Sequence, residues 1–157
     1  MELQNISIEE FEYEIYNKYI KLFPEEEQRD WNNIKRTYNK GIERFIKIVE
    51  DSKTIGFILL EELKEDFPYY IDYFAIFKEF QRKGYGTEAI KLLLTTDGIK
   101  ENGICLEIEK ETTDDENTIK RSKFYKELGF NCIDSEYNLY NVIYTPYVYY
   151  INNRLNK

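Results

Sequence analysis

The chain has 157 residues, a formal net charge of -8, and 42% hydrophobic and 17% aromatic content, which fits one folded domain over residues 1–157 and excludes disorder. The acidic balance excludes a general binder of nucleic acid or of anionic membrane, so neither is an expected partner. Two cysteines and no histidine leave no disulfide framework, zinc ligand set or histidine triad, and without a signal peptide or membrane-length apolar run a cytoplasmic, metal-free protein is the default expectation.

From the N-terminus, Ile8, Phe11, Ile15, Tyr19 and Leu22 form a helical stripe, opened by Ser7 as N-cap with Glu10 following it and ended by Pro24. A more polar helix is expected over Glu26 to Tyr38, with Gly41 beyond its end. Phe45 to Val49 and Thr54 to Leu60 flank the polar turn Glu50-Asp51-Ser52-Lys53 and read as an antiparallel hairpin. Tyr69 to Phe77 is a near-continuous apolar strand, expected to be covered on both faces. Thr87 to Thr96 reads as a helix with Ala89, Ile90, Leu93 and Leu94 on one side. Ile104, Leu106 and Ile108 then alternate with Cys105, Glu107 and Glu109 as a further strand. Strand, helix and strand in that order predict a βαβ unit with parallel strands. Glu116 to Leu128 is expected to be a helix stopped by Gly129, and the tail from Asn131 to Ile151 one or two tyrosine-rich strands. Cys105 and Cys132 sit in apolar runs and read as small buried residues.

Between the apolar strand and its helix lies Phe80-Gln81-Arg82-Lys83-Gly84-Tyr85-Gly86-Thr87-Glu88-Ala89. A helix N-terminus presents unpaired N–H groups and the positive end of the macrodipole, glycine allows close approach, and Arg82 and Lys83 add positive charge. A phosphate-bearing ligand at this turn follows. A nucleotide P-loop is excluded because no G-x-x-x-x-G-K-S/T is present. A dinucleotide fingerprint fits the letters from Gly84 to Ala89, with Glu107 about twenty residues on as a ribose-binding acid. Against it, the glycine turn is separated from its strand by six residues, Lys78 to Lys83, and helices with a hairpin precede it.

The turn Gln81-Arg82-Lys83-Gly84-Tyr85-Gly86 matches the Q/R-x-x-G-x-G/A signature of the GCN5-related N-acetyltransferase (GNAT) superfamily. Phe74-Ala75-Ile76 resembles the family's fourth strand, and Phe124-Tyr125-Lys126-Glu127-Leu128-Gly129-Phe130 resembles the end of its last conserved helix. The order and spacing of elements agree from about residue 5 to about residue 150. The resemblance implies an α/β fold of GNAT type: a mixed, mostly antiparallel central sheet with one splayed parallel strand pair and helices on both faces. It implies an acetyl-CoA-dependent N-acetyltransferase that transfers acetyl directly to a primary amine of a small molecule, without a metal. Homodimers occur in such folds. A non-catalytic coenzyme A-binding sensor or assembly module is the alternative.

By the same resemblance, acetyl-CoA enters the opening between Tyr69–Phe77 and Ile104–Glu109. Its pyrophosphate lies on the N–H groups of Arg82, Lys83, Gly84, Tyr85, Gly86 and Thr87, and its pantetheine arm pairs with the backbone of Phe74, Ala75 and Ile76. Direct transfer needs a neutral amine, of which only on the order of one part in a thousand is present at neutral pH. Asp72, at a position where relatives carry a glutamate, is expected to bind or deprotonate the amine, and strand parity places it on one face with Phe74 and Ile76. A solvated acid is the other reading. Tyr125 corresponds to the family's general acid for the departing thiolate. Glu107, which shares a face with Glu109, is a substrate-binding or auxiliary base candidate or simply exposed. The family's coenzyme-binding asparagine is replaced by Thr118, with Asn117 one residue off, and Arg121 is a further coenzyme contact to test. In the tail, which holds Tyr137, Tyr140, Tyr144, Tyr147, Tyr149 and Tyr150, Tyr144 and Tyr147 can line the acceptor site through cation–π contact or pack across strands.

Overall fold

The computed structural model of the protein describes residues 1–139 and 141–150. Tyr140 and Ile151, both assigned to the tail from sequence, lie outside the described residues. The chain begins with strand β1 (Glu2–Ile6), which sequence patterning missed because Glu2, Gln4 and Asn5 give it no apolar run. It pairs with β2 (Glu43–Glu50), Leu3 facing Ile48 and Ile6 facing Phe45. The expected first helix is broken in two: α1 (Ile8–Glu14) and α2 (Tyr16–Leu22) meet at Ile15, whose φ of -117° lies outside helical geometry. Ser7 caps α1, its hydroxyl accepting from the Glu10 N–H at 3.1 Å. The apolar stripe nevertheless holds, because Phe11, Ile15 and Tyr19 are all fully buried. A 3-10 turn at Glu25–Glu27 separates α2 from α3 (Trp31–Asn39), so the expected second helix starts later than its sequence suggests.

Strands β2, β3 (Lys53–Glu61) and β4 (Tyr69–Ile76) form antiparallel pairs, as the hairpin and strand readings expect. After β4 come the glycine turn, α4 (Tyr85–Leu94), a short α5 (Ile99–Asn102), β5 (Ile104–Glu109) and α6 (Glu116–Glu127). The tail supplies β6 (Asn131–Cys132), β7 (Tyr137–Leu139) and β8 (Val142–Tyr149). One mixed sheet runs β1-β2-β3-β4-β5-β8-β6, with β7 paired to β8. Its only parallel neighbours among the described residues are β4 and β5.

Each face of the sheet carries its own apolar cluster. On one, Ile58, Leu60, Ile71 and Ile76 pack with Ala89, Ile90 and Leu93 of α4 and Tyr125 of α6. On the other, Phe45, Phe57, Leu59, Tyr73 and Phe77 pack with Phe11, Ile15, Tyr19 and Ile34 of α1 to α3. Phe11 stacks on Phe45 at 4.7 Å between centroids and meets Phe57 edge-on at 5.7 Å. Each such buried side chain contributes about 1.5–3 kcal/mol relative to exposure. No helix among the described residues is long and apolar enough to cross a membrane.

Candidate active site

Strands β4 and β5 are in register only at Tyr69 with Ile104 and Tyr70 with Cys105. Beyond that point β5 remains paired along its length with β8, while β4 stays on β3, so the two parallel strands part. The Phe77 N–H donates to the Ile55 carbonyl at 2.8 Å, and Ala75 and Tyr73 face Phe57 and Leu59. Antiparallel alternation therefore turns the backbone groups of Ala75 toward β3 and those of Phe74 and Ile76 into the gap. The Ile76 carbonyl is taken by Gln81 Nε2 at 2.8 Å, which ties the glycine turn to the end of β4. Of the expected coenzyme contacts, Phe74 and Ile76 offer backbone groups to the opening, Ala75 does not, and Gln81 braces the turn.

At the turn, Gly84 is the N-cap of α4 with a φ of 83°, in the left-handed region that glycine enters without strain. Among the described residues, no hydrogen bond uses the backbone N–H of Arg82, Lys83, Gly84, Tyr85, Gly86 or Thr87. These donors line the start of a helix and point the positive end of its dipole outward. A Cβ at Gly86 would sit 3.7 Å from ring carbons of Phe124 and Phe74, an ordinary contact, so packing within the chain does not require glycine there. Arg82 and Lys83 are exposed. Asn117 is exposed too, its N–H donating to the Asp115 side chain that caps α6. Thr118 is buried and fastens the loop before α6, accepting from the Thr112 N–H at 3.0 Å and donating to the Asp115 carbonyl at 2.6 Å. Arg121 is exposed on α6.

Tyr125 is buried on α6 between Phe124 and Phe130, at 4.9 and 5.3 Å between centroids. Burial pushes its phenol well above the ordinary range, so it stays protonated. Its hydroxyl bonds no described residue and is not among the fully buried unpaired atoms, which are Trp31 Nε1, Glu43 Oε2 and Glu50 Oε2 among the described residues. It is thus a proton donor without a hydrogen-bond partner among the described residues.

Asp72 departs from the parity expectation. The β3–β4 register pairs Leu59 with Tyr73 and Leu60 with Ile71, so Asp72 is an extra residue in a β-bulge. The bulge reverses side-chain alternation. Phe74 and Ile76 pack toward α4, whereas Asp72 is held by Arg29 on the face covered by α1 to α3. Arg29 Nη1 also bonds Glu43 at 2.6 Å and Glu61 at 3.0 Å, Nη2 bonds Asn33 at 2.7 Å, and the Arg29 N–H is held by the hydroxyls of Tyr73 and Tyr19. Burial raises the Asp72 carboxyl, and the Arg29 charge and hydrogen bond oppose it. Burial of Tyr70, together with the charges of Glu107, Asp72 and Glu61, pushes its phenol far up.

Glu107 is exposed on β5 and accepts from the Tyr137 hydroxyl. Tyr137 stacks on Tyr144 at 5.6 Å. Partial burial and the carboxylates of Glu27 and Glu109 raise the Tyr144 phenol, with Arg121 opposing. Asp72 lies on β4 two residues from Tyr70, which pairs with Cys105 of β5, and on β5 Glu107 and Glu109 are followed across the sheet by Tyr144, opposite Glu109. Tyr147, three positions along β8 from Tyr144, is buried against Tyr125 and bonds Ser122 at 2.9 Å. Cys105 is half-buried, and burial pushes its thiol up to about 11, which makes it a poor nucleophile.

Arg29, Glu43, Glu61, Tyr70 and Tyr137 were not singled out from sequence. Two signals were present. Glu43 shares strand parity with core-facing Phe45, and Glu61 with Leu59, so each acid falls on an apolar face. The pairing also sets Glu43 opposite Glu61, an arrangement that demands a cation.

A scan against family models matches residues 7–130 to the acetyltransferase (GNAT) family. No curated protein sequence matches. Among solved structures, one described as an acetyltransferase from the GNAT family of Bacteroides thetaiotaomicron superposes with a TM-score of 0.80 at 23% identity, covering 100% of this chain and 90% of that one. A spermidine N-acetyltransferase chimera of Vibrio cholerae SpeG and hSSAT gives 0.74 at 18% identity, covering 99% and 100%. Arabidopsis thaliana NAA60 in complex with acetyl-CoA gives 0.71 at 14% identity, covering 96% and 98%. With the parted β4–β5 pair and the glycine turn in place, the chain belongs to the acetyltransferase (GNAT) family and is an N-acetyltransferase.

Proposed function

We propose that the protein uses acetyl-CoA to acetylate a primary amine on a small cationic molecule, by direct transfer within a single domain. The observation that carries this is the parting of β4 from β5 after Tyr70 and Cys105, beneath a turn whose N–H groups from Arg82 to Thr87 have no partner among the described residues. The pyrophosphate is received by those donors. The pantetheine arm pairs with the backbone of Phe74 and the N–H of Ile76, and the Phe74 N–H stabilises the oxyanion of the tetrahedral intermediate.

The acceptor enters from the face carrying Asp72, Glu61, Glu107 and Tyr144. Its ammonium has three protons. One passes to Asp72, freeing the nitrogen pair to attack the thioester carbonyl. As the C–S bond breaks, the sulfur takes a proton from Tyr125, which is restored by the second. The third remains on the amide. A Cys105 thiol raised to about 11 fits direct attack rather than an acyl-enzyme.

A thiol-release screen of polyamines, aminoglycosides, amino acids and peptides tests the reading. A small cationic amine is expected to be turned over, with Tyr125→Phe and Asp72→Asn each lowering kcat by about 10²-fold or more and leaving coenzyme binding intact. Coenzyme binding without turnover of any acceptor, or turnover indifferent to both variants, overturns it.

A further inference from the structure

Three carboxyl groups converge on one guanidinium nitrogen, so full ionisation would leave two uncompensated negative charges. One oxygen from each of Glu43, Glu61 and Asp72 lies within 4.8 Å of the others, and Arg29 Nη1 already occupies the space among them. Glu43 has no exposed side-chain surface, and while its Oε1 accepts from Arg29 at 2.6 Å, its Oε2 is fully buried with no partner. An anionic oxygen without a donor is the costliest state that atom can take. A proton on it makes Glu43 a donor; Glu61 and Asp72 each give one oxygen to Arg29 and keep a second as acceptor, and Asp72 is the one that the proposed reaction needs ionised.

We propose that Glu43 is a neutral carboxylic acid whose proton is shared in a hydrogen bond to Asp72, and that this bond keeps Asp72 ionised to receive the proton of the acceptor amine. The proposal rests on the assignment of Asp72 made above and deepens it. Glu43 is a positioning residue, because it acts through Asp72 and touches neither substrate. In the step it supports, an ammonium N–H bond breaks, its electron pair stays on nitrogen, the proton goes to an Asp72 oxygen, and Glu43 keeps its own.

The groups facing the pair raise both carboxyls, with Arg29 opposing in each case. Burial, with the charges of Asp72 and Glu61 added and that of Arg29 opposing, pushes Glu43 up to about 9. Burial also raises Asp72, but the charge and hydrogen bonding of Arg29 and the hydrogen bond from Glu43 all pull it back. Tyr19 of α2, Tyr70 and Tyr73 of β4 and Glu61 of β3 are the other titratable groups around the cluster, and burial raises each of them. Two coupled carboxyls whose environments drive them apart yield one acid and one base.

Glu43→Gln tests this, because its amide reproduces the donor and acceptor of a neutral acid. A carboxyl raised on folding makes the wild-type protein lose stability as pH climbs from the ordinary carboxylate range toward about 9. E43Q removes that loss, so its denaturation midpoint should match wild type near pH ~5 and exceed it increasingly at higher pH. The infrared band of a protonated carboxyl in neutral buffer should be present in wild type and lost in E43Q. E43Q should also retain kcat/KM near neutral pH within about threefold, whereas Glu43→Leu, lacking the donor, moves the acidic limb of the pH profile upward by about one unit. An E43Q protein less stable than wild type by the same margin at both pH extremes, or a wild-type spectrum without the carboxyl band, overturns the proposal. Neither readout uses turnover, so this result and that of the acceptor screen stand separately.

Discussion

Arg29 sets one positive charge against Glu43, Glu61 and Asp72 while two tyrosine hydroxyls hold its backbone N–H. Its side chain is 22% exposed, so water screens little of this, and removing it strands carboxylates in a low-dielectric site. Arg29→Ala should lower unfolding free energy by about 3–5 kcal/mol at neutral pH, read as a lower urea midpoint at unchanged slope. The loss should shrink as pH falls and the stranded carboxylates take up protons. A loss below about 1 kcal/mol, the range of an exposed ion pair, would show that the cluster is not the anchor its geometry describes. None of these partners is near Arg29 in the chain, since the cluster assembles only when the loop before α3 meets three strands. Tyr125, in contrast, was legible because its neighbours Phe124 and Phe130 fall within one short motif.

At the scale of elements, the glycine turn and β4 show opposite degrees of legibility. A left-handed φ at Gly84 restricts the residue type, so the turn announces itself in sequence. The bulge at Asp72 is marked by neither glycine nor proline, and a one-residue shift reverses every later side chain. Gly84 and Gly86 also make separable predictions. Gly84→Ala forces a β-carbon into the left-handed region and should cost about 1–2 kcal/mol, although nothing lies within 4 Å of that carbon. Gly86→Ala gains helix propensity and meets only ordinary contacts, so the free protein should be about 0.5–1 kcal/mol more stable. Coenzyme binding should nonetheless weaken about tenfold, equivalent to ~1.4 kcal/mol, because the methyl group occupies the approach to the turn. Calorimetric titration alongside thermal unfolding checks this, and a stabilised G86A with undiminished coenzyme affinity would remove the turn from the binding site.

Across the whole molecule, the net charge of -8 bears on the proposed cationic acceptor. The face on which the acceptor is proposed to enter carries Glu27, Glu61, Asp72, Glu107 and Glu109 against Arg121, with Arg29 held in ion pairs, while Arg82 and Lys83 are exposed at the glycine turn. A low-dielectric cleft lined by one sign of charge concentrates ligands of the other sign, and added salt erases the effect as the Debye length shrinks from about 30 Å at 0.01 M to about 8 Å at 0.15 M. For a cationic acceptor, kcat/KM should therefore fall several-fold over that range, chiefly through KM, and fall more steeply for a dication than for a monocation. A neutral amine surrogate should show little change. Glu107→Gln should flatten the salt dependence without shifting the urea midpoint, because Glu107 is exposed and its one described hydrogen-bond partner, the Tyr137 hydroxyl, can donate equally to an amide oxygen. If kcat/KM for every accepted amine proved insensitive to ionic strength, the acidic face would be ordinary solvated surface, and the acceptor would have to be recognised by contacts on the tyrosine rings alone.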